Sequence, residues 1–150
     1  MKSAVENIVV ATGEISPSFI GSPMLNNKSI SSWVRQSRYR AKQQTIYSDL
    51  KVGDIATITE HSNKCAYCGG TVETIDSPFP LKDGCPNVPA NVVLCCKPCK
   101  TIKNNNDVVW MFLNGHISRD AYIVLIDELC KRRGGDMVKE YISKITGMGA

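Results

Sequence analysis

The stretches Cys-Ala-Tyr-Cys at residues 65–68 and Cys-Lys-Pro-Cys at residues 96–99 decide the fold of this chain. A Cys-x-x-Cys turn presents two sulfurs on one side of the backbone, so two such turns can complete a tetrahedral shell around one Zn²⁺. The alternatives are unrelated buried cysteines or redox dithiols, but no strand–helix pattern typical of thioredoxin-like proteins surrounds either turn. We therefore predict a structural zinc site with the ligands Cys65, Cys68, Cys96 and Cys99.

The remaining composition is typical of a globular protein in a reducing compartment. The chain has 150 residues, of which 43% are hydrophobic, and Cys85, Cys95 and Cys130 lie outside the two turns. An odd total of cysteines without a secretory signal favours the cytosol over a disulfide framework. No apolar run approaches the roughly 18 residues that span a bilayer. By its length we expect a cytoplasmic protein of one domain, with no membrane partner.

Basic residues are concentrated in a few segments, although the formal net charge is only +4. Between residues 28 and 51 Asp49 is the only acidic residue, whereas six residues are Lys or Arg. The aromatic residues Trp33, Tyr39 and Tyr47 lie among them. Such clusters suit the phosphate backbone of a nucleic acid, whereas the alternative is a solvated helix face. Because these clusters flank the cysteine turns, we predict a nucleic-acid-binding set of Arg35, Arg38, Arg40, Lys42, Lys100 and Lys103.

Turn-forming and periodic stretches divide the chain into four segments. Clusters of Gly, Pro, Ser and Asn near the N-terminus predict an irregular arm, and helical spacing of apolar residues predicts helices elsewhere. Pro78, Pro80 and Pro86 forbid a helix between the cysteine turns, where short strands are predicted at residues 71–75 and 92–94. The predicted segments are an N-terminal arm (1–31), a basic helical segment (32–62), the zinc module (63–106) and C-terminal helices (107–150).

Capping residues predict where the helices begin. A Ser or Asp side chain that precedes an apolar-periodic stretch can accept a hydrogen bond from the first helical turn. Proline is favoured in that first turn, and Pro98 has this position directly after Cys96. The predicted N-caps are Ser31 or Ser32 for the basic helix, Ser48 or Asp49 for the next helix, and Asp107 and Ser118 for the C-terminal helices.

The chain from Lys64 to Asn104 resembles the HNH endonuclease family (His-Me finger) in its zinc-knuckle form, common in phage and homing enzymes. Its motifs align without a gap between the two cysteine turns, which we call the first and second knuckles. The matching stretches are CAYCG at 65–69, DSPFPL at 76–81, KDG at 82–84, NVVLCC at 91–96 and CKPCKTIK at 96–103. The resemblance implies an α+β fold, a small zinc-bound ββα-metal (HNH or treble-clef-like) module with a basic helix before it and helices after it.

The family's catalytic positions correspond to Asp76, Ser77, Asn91 and Lys100. In the family a histidine after the aspartate is the general base, and an Asn or His after the last cysteine helps to hold Mg²⁺. A serine hydroxyl titrates far above neutral pH, so Ser77 does not replace an imidazole. A protonated Lys100 repels a cation and has no lone pair for it. The resemblance therefore implies a degenerate catalytic motif.

Three functions follow from this pattern. The leading hypothesis is a DNA-binding protein, stabilised by structural Zn²⁺, that uses an HNH scaffold with nuclease activity lost or severely reduced. The first alternative is an active endonuclease that requires a divalent metal, and Mg²⁺ is expected as a cofactor only in that case. The second alternative is a phage-type factor that uses the fold to bind a protein partner. All three place the protein in the cytoplasm of a bacterial or phage-infected cell, and the expected DNA is duplex.

Overall fold

The structure is a computed structural model that describes residues 25–147. It combines helices with a small antiparallel sheet, and residues 1–24 of the predicted N-terminal arm lie outside the described part. Short 3₁₀ turns at Leu81–Asp83 and Pro89–Asn91 connect the two strands. The elements are α1 (Asn27–Gln43), α2 (Val52–His61), β1 (Thr74–Asp76), β2 (Val93–Cys95), α3 (Lys97–Lys103), α4 (Val108–Leu113), α5 (Arg119–Cys130) and α6 (Gly135–Thr146).

The sheet separates two hydrophobic clusters. In the described residues β1 pairs with β2 in antiparallel register, with Ile75 opposite Leu94. Successive side chains of a strand point to opposite faces. Accordingly, Ile75 and Leu94 join a cluster with α1 and α2, whereas Val93 and Cys95 join a larger cluster with α4, α5 and α6. Both strands begin slightly later in the chain than predicted.

Helix α1 begins earlier than its predicted caps. Asn26 Oδ1 accepts a hydrogen bond from the Ser29 amide at 2.9 Å, and Ser29 Oγ accepts one from the Asn26 amide at 2.9 Å. This reciprocal capping box satisfies two amides that a helix start otherwise leaves unpaired. The predicted caps Ser31 and Ser32 therefore lie inside the helix, and residues 27–31 of the predicted arm are helical.

Helix α2 also lacks its predicted cap, because Ser48 and Asp49 have other partners. Ser48 accepts a hydrogen bond from Asn87 Nδ2 at 3.1 Å, and the Asp49 carboxylate pairs with Arg133. The helix instead starts after Lys51, whose amide donates to Asp54 Oδ2 at 2.9 Å.

The predicted caps of the C-terminal helices are confirmed. Asp107 accepts a hydrogen bond from the Trp110 amide at the start of α4, and Ser118 accepts one from the Ala121 amide at the start of α5. Pro98 lies in the first turn of α3, as predicted.

Two arginines fasten the C-terminal helices to the rest of the molecule. Arg133, after α5, lies 3.0 Å from Asp49 Oδ2 and 2.7 Å from Asp54 Oδ2. Arg132 donates to the Val92 carbonyl at 2.6 Å, directly before β2. These two arginines thus stabilise the fold. Among residues 25–147, no helix is both long and apolar enough to cross a bilayer.

The turn between α5 and α6 requires a glycine. Gly134 has a φ of +89°, and an ideal Cβ there would lie 2.5 Å from Val88 Cγ2. Gly134→Ala combines left-handed strain of about 1–2 kcal/mol with overpacking of about 1–3 kcal/mol. We expect urea unfolding to show that Gly134→Ala lowers the free energy of unfolding more than Gly115→Ala does. At Gly115 φ is +77°, but no atom lies within 4 Å of an ideal Cβ. Equal losses in the two variants would show that the contact with Val88 costs nothing.

Candidate metal centre and adjoining groove

The four predicted zinc ligands converge on one point. The Sγ atoms of Cys65, Cys68, Cys96 and Cys99 all lie within 4.8 Å of one another, and those of Cys68 and Cys96 are 3.7 Å apart. A tetrahedron with Zn–S bonds of about 2.3 Å has edges of about 3.8 Å between sulfurs. The cluster therefore has the size and the donor set of a tetrahedral metal site, which agrees with the predicted Zn²⁺.

The first knuckle is a tight turn that precedes β1. The amide of Cys65 donates to the Gly70 carbonyl at 2.8 Å, and Lys64 pairs with Thr71 across the turn. Gly69 closes the turn with a φ of +79°, a conformation that favours glycine.

The second knuckle forms the start of helix α3. Cys96 is the N-cap, and its sulfur accepts a hydrogen bond from the Cys99 amide at 3.4 Å. The short strand β2 leads directly into this cap, so the sheet and the helix together carry the two ligands of this knuckle.

Backbone amides point at the sulfurs of the first knuckle as well. Tyr67 N–H donates to Cys65 Sγ, and Gly70 N–H donates to Cys68 Sγ, both at 3.4 Å. The Gly70 amide lowers the pKa of the Cys68 thiol, whereas burial raises the pKa of Cys65 and of Cys99. A metal that binds here would displace the thiol protons, and it would stabilise the folded state because the four sulfurs converge only there. Four protein ligands leave no open position, which is typical of a structural site.

A groove of about 380 Å³ lies between α1, the segment after β1 and the end of α3. It brings together five residues that the sequence singled out, Arg40, Asp76, Ser77, Lys100 and Lys103. Arg35, Arg38, Lys42 and Asn91 do not line it. We call this space the Asp76 groove.

The Asp76 carboxylate has an internal counter-ion. Lys103 Nζ lies 3.2 Å from Asp76 Oδ2, and the Lys103 side chain is only 2% exposed. The Tyr67 hydroxyl donates to the same oxygen at 2.9 Å. Burial, together with the Asp76 charge, raises the pKa of Tyr67 well above its usual range, so Tyr67 remains a protonated donor. Lys103 therefore supplies the positive charge that a bound cation would bring to this carboxylate.

Lys100 binds the backbone beside Asp76 and not the Asp76 carboxylate. Its Nζ donates to the Ile75 carbonyl at 2.7 Å, next to Asp76 along the chain. The residue in contact with the carboxylate is Lys103, and the predicted role of Lys103 as a free phosphate contact is corrected by its burial. One signal was available in the sequence: Lys103 follows the ligand Cys99 by four residues, which places both on one face of α3.

Asn91 positions the segment that follows Ser77. Its Nδ2 donates to the Phe79 carbonyl at 2.8 Å and to the Pro86 carbonyl at 3.1 Å, and its Oδ1 accepts from the Phe79 amide at 3.0 Å. The side chain is fully buried. Asn91 therefore acts through the backbone and not on a ligand in the groove.

Neither histidine of the chain lines the Asp76 groove. The ring of His116 stacks on Trp110 with centroids 5.3 Å apart, and His61 Nδ1 lies 2.8 Å from the Thr57 carbonyl. Ser77, the residue that follows Asp76, also lines the groove and offers a hydroxyl there.

Helix α1 distributes its cations over two faces. One face lines the Asp76 groove with residues at spacings of four, three and four, namely Trp33, Ser37, Arg40 and Gln44. Arg35, Arg38 and Lys42 share another, exposed side, at spacings of three and four. The helix contains no Asp or Glu. We call the exposed side formed by Arg35, Arg38 and Lys42 the α1 basic stripe.

Comparison of the chain with family models, with curated proteins and with solved structures finds no match in any of the three.

The purified protein is expected to contain stoichiometric zinc. Cys99→Ser removes one of four ligands, so we expect loss of zinc and a large drop in Tm, and a chelator should lower the parent Tm similarly. Metal analysis and thermal melts measure both. Cys130→Ala is the control, because Cys130 lies outside the cluster and is only partly buried. Zinc-free protein with an unchanged melt would contradict the assignment.

Breaking the Asp76–Lys103 pair is expected to destabilise the fold. Lys103→Met leaves Asp76 buried without its counter-ion, which costs about 3–5 kcal/mol in buried pairs. Adding Asp76→Asn to this variant should recover most of the loss, because both charges are then absent. Urea unfolding of the parent, both single variants and the double variant measures the coupling. Additive losses would mean that the 3.2 Å contact contributes no coupling energy.

Proposed function

We propose that this chain is a zinc-stabilised DNA-binding protein built on an HNH endonuclease scaffold, with nuclease activity lost or severely reduced. The observation that carries the proposal is the Asp76–Lys103 ion pair at the bottom of a cation-lined groove. At the position where the family holds a catalytic metal, the Lys103 ammonium neutralises the carboxylate instead.

The order of elements supports the HNH scaffold. A cysteine knuckle is followed by an antiparallel strand pair and then by a helix whose first turn carries the second knuckle. This is the arrangement expected of a ββα-metal, treble-clef-like module. Asp76 ends β1 and Lys100 lies in α3, which is compatible with the order of motifs on which the resemblance is based.

The chemistry of the groove supports the loss of cleavage. Phosphodiester hydrolysis by this family needs a base that accepts a proton from water, and Ser77 offers only a hydroxyl. It also needs a divalent cation, which binds through oxygen ligands that are free to coordinate it. Oδ2 of Asp76 already accepts from Lys103 and Tyr67.

The distribution of charge supports DNA as the partner. The α1 basic stripe places Arg35, Arg38 and Lys42 in solvent on a helix without acids, and Arg40 and Lys100 face the groove. Cations arranged in this way gain affinity for a phosphate backbone by releasing its condensed counterions. Arg132 and Arg133 are less available to DNA, because each already binds a backbone or carboxylate oxygen of this chain.

Duplex binding is expected to weaken steeply with salt. Arg38→Ala removes one cation of the α1 basic stripe and should reduce the slope of log Kobs against log[salt] by about one. Fluorescence anisotropy of a labelled duplex at several salt concentrations measures the slope. Lys131→Ala is the control, since Lys131 is also exposed but pairs with Asp127 away from α1. A duplex affinity that does not depend on salt would contradict the proposal.

Activity and binding assays on the same purified protein distinguish this proposal from the active endonuclease and from the protein-binding factor. In a nicking assay with Mg²⁺ and with Mn²⁺, we expect the parent protein to cleave DNA no more than the Asp76→Ala variant does. Cleavage that depends on Asp76 would establish the active endonuclease instead. Absence of binding to any nucleic acid would favour the protein-partner function, for which the exposed Leu113 and Val124 of the C-terminal helices offer an apolar surface.

A further inference from the structure

Trp33 is the aromatic residue of the Asp76 groove. One side of the residue packs against the cluster of α1, α2 and the sheet, and the residue also lines the groove. Its position is two helical turns before Arg40 on the same face of α1. An aromatic side chain held in this way is a rigid platform, because the core behind it restricts its rotation.

The groove around Trp33 is suited to an anion. Asp76 is neutralised by Lys103, and the remaining charged side chains that line the groove are Arg40, Lys82 and Lys100. Lys82 forms an exposed pair with Asp83, at 3.0 Å. Arg40 is exposed, and Lys100 holds its ammonium at the groove wall through the Ile75 carbonyl.

Side-chain amides complete the groove. Gln44 lies on the α1 wall, and Asn104 and Asn105 follow the end of α3. Amides both donate and accept hydrogen bonds, so they can pair with the edge of any base. The volume of about 380 Å³ lies in the range of small-ligand sites, about 300–1,000 Å³.

Resting on the proposed DNA-binding function, we propose that the Asp76 groove takes up an unpaired nucleotide of a DNA strand, with its base against Trp33 and its phosphates between Arg40 and Lys100. A base inside a duplex has both faces covered by its neighbours, so only an unstacked base presents a face to this side chain. Base–aromatic stacking tolerates any sequence, because every base has a π-face. The α1 basic stripe then serves the flanking phosphates.

The fluorescence of Trp33 tests the proposal. The chain has two tryptophans, and Trp110 stacks on His116 outside the groove. In the full-length Trp110→Phe variant, Trp33 is therefore the only tryptophan. We expect a short thymidine oligonucleotide to quench its emission to saturation. A blunt duplex and an abasic oligonucleotide of equal length should bind, as seen by anisotropy, with much less quenching.

Affinity provides the second readout. Replacing the thymidines by abasic sites should weaken binding to unmodified protein by about 5- to 150-fold, the equivalent of one stacked base at about 1–3 kcal/mol. This arm changes only the ligand, so it does not depend on whether a Trp33 variant folds. Trp33→Leu, if it melts like the parent, should bind both oligonucleotides equally.

The outcomes distinguish this inference from the proposed function. Oligonucleotide binding without a change in Trp33 emission, equal affinity for abasic and unmodified strands, or equal quenching by the blunt duplex would each overturn the groove proposal. Duplex binding through the α1 basic stripe would stand in all three cases. Absence of any anisotropy change with every DNA would overturn the DNA-binding function itself.

Discussion

The convergence of four cysteine sulfurs is the constraint on which the rest of the structure depends. It joins the turn before β1 to the first turn of α3, and the sheet that lies between them has strands of only three residues. A two-stranded sheet of this length is not stable by itself in water. A metal bound to the four thiolates would hold the sheet and the helix in one arrangement, which also sets the direction in which α3 leaves the cluster.

The direction of α3 determines the chemistry of Asp76. Because the helix is anchored at Cys96 and Cys99, its next turn brings the Lys103 ammonium to the carboxylate at the end of β1. Removing one partner of a buried pair is costly, so each charge stabilises the other in place. The carboxylate is thereby held as part of the fold, because its Oδ2 accepts a hydrogen bond from Tyr67 and pairs with Lys103.

Helix α1 gives the proposed binding surface its two parts. Its capping box at Asn26 starts the helix early, and the added turn extends it without any acidic residue. The helix presents the α1 basic stripe to solvent and contributes Trp33 and Arg40 to the Asp76 groove. The proposed surface for the DNA backbone and the proposed nucleotide groove thus lie on neighbouring faces of one helix, as a strand that is partly unpaired would require.

The resemblance to the HNH family implied that Asp76, Ser77 and Lys100 lie near one another, and all three line one groove. The sequence by itself determined the two cysteine turns and the C-terminal caps at Asp107 and Ser118. These features depend on spacing within short segments, which the order of residues specifies directly. Only the tertiary structure decided that Lys103 pairs with Asp76 and that Asn91 holds the Phe79 backbone. It also decided that Arg132 and Arg133 serve the fold, because a charged side chain has the same sequence signature whether its partner is solvent, a ligand or a carboxylate distant in the chain.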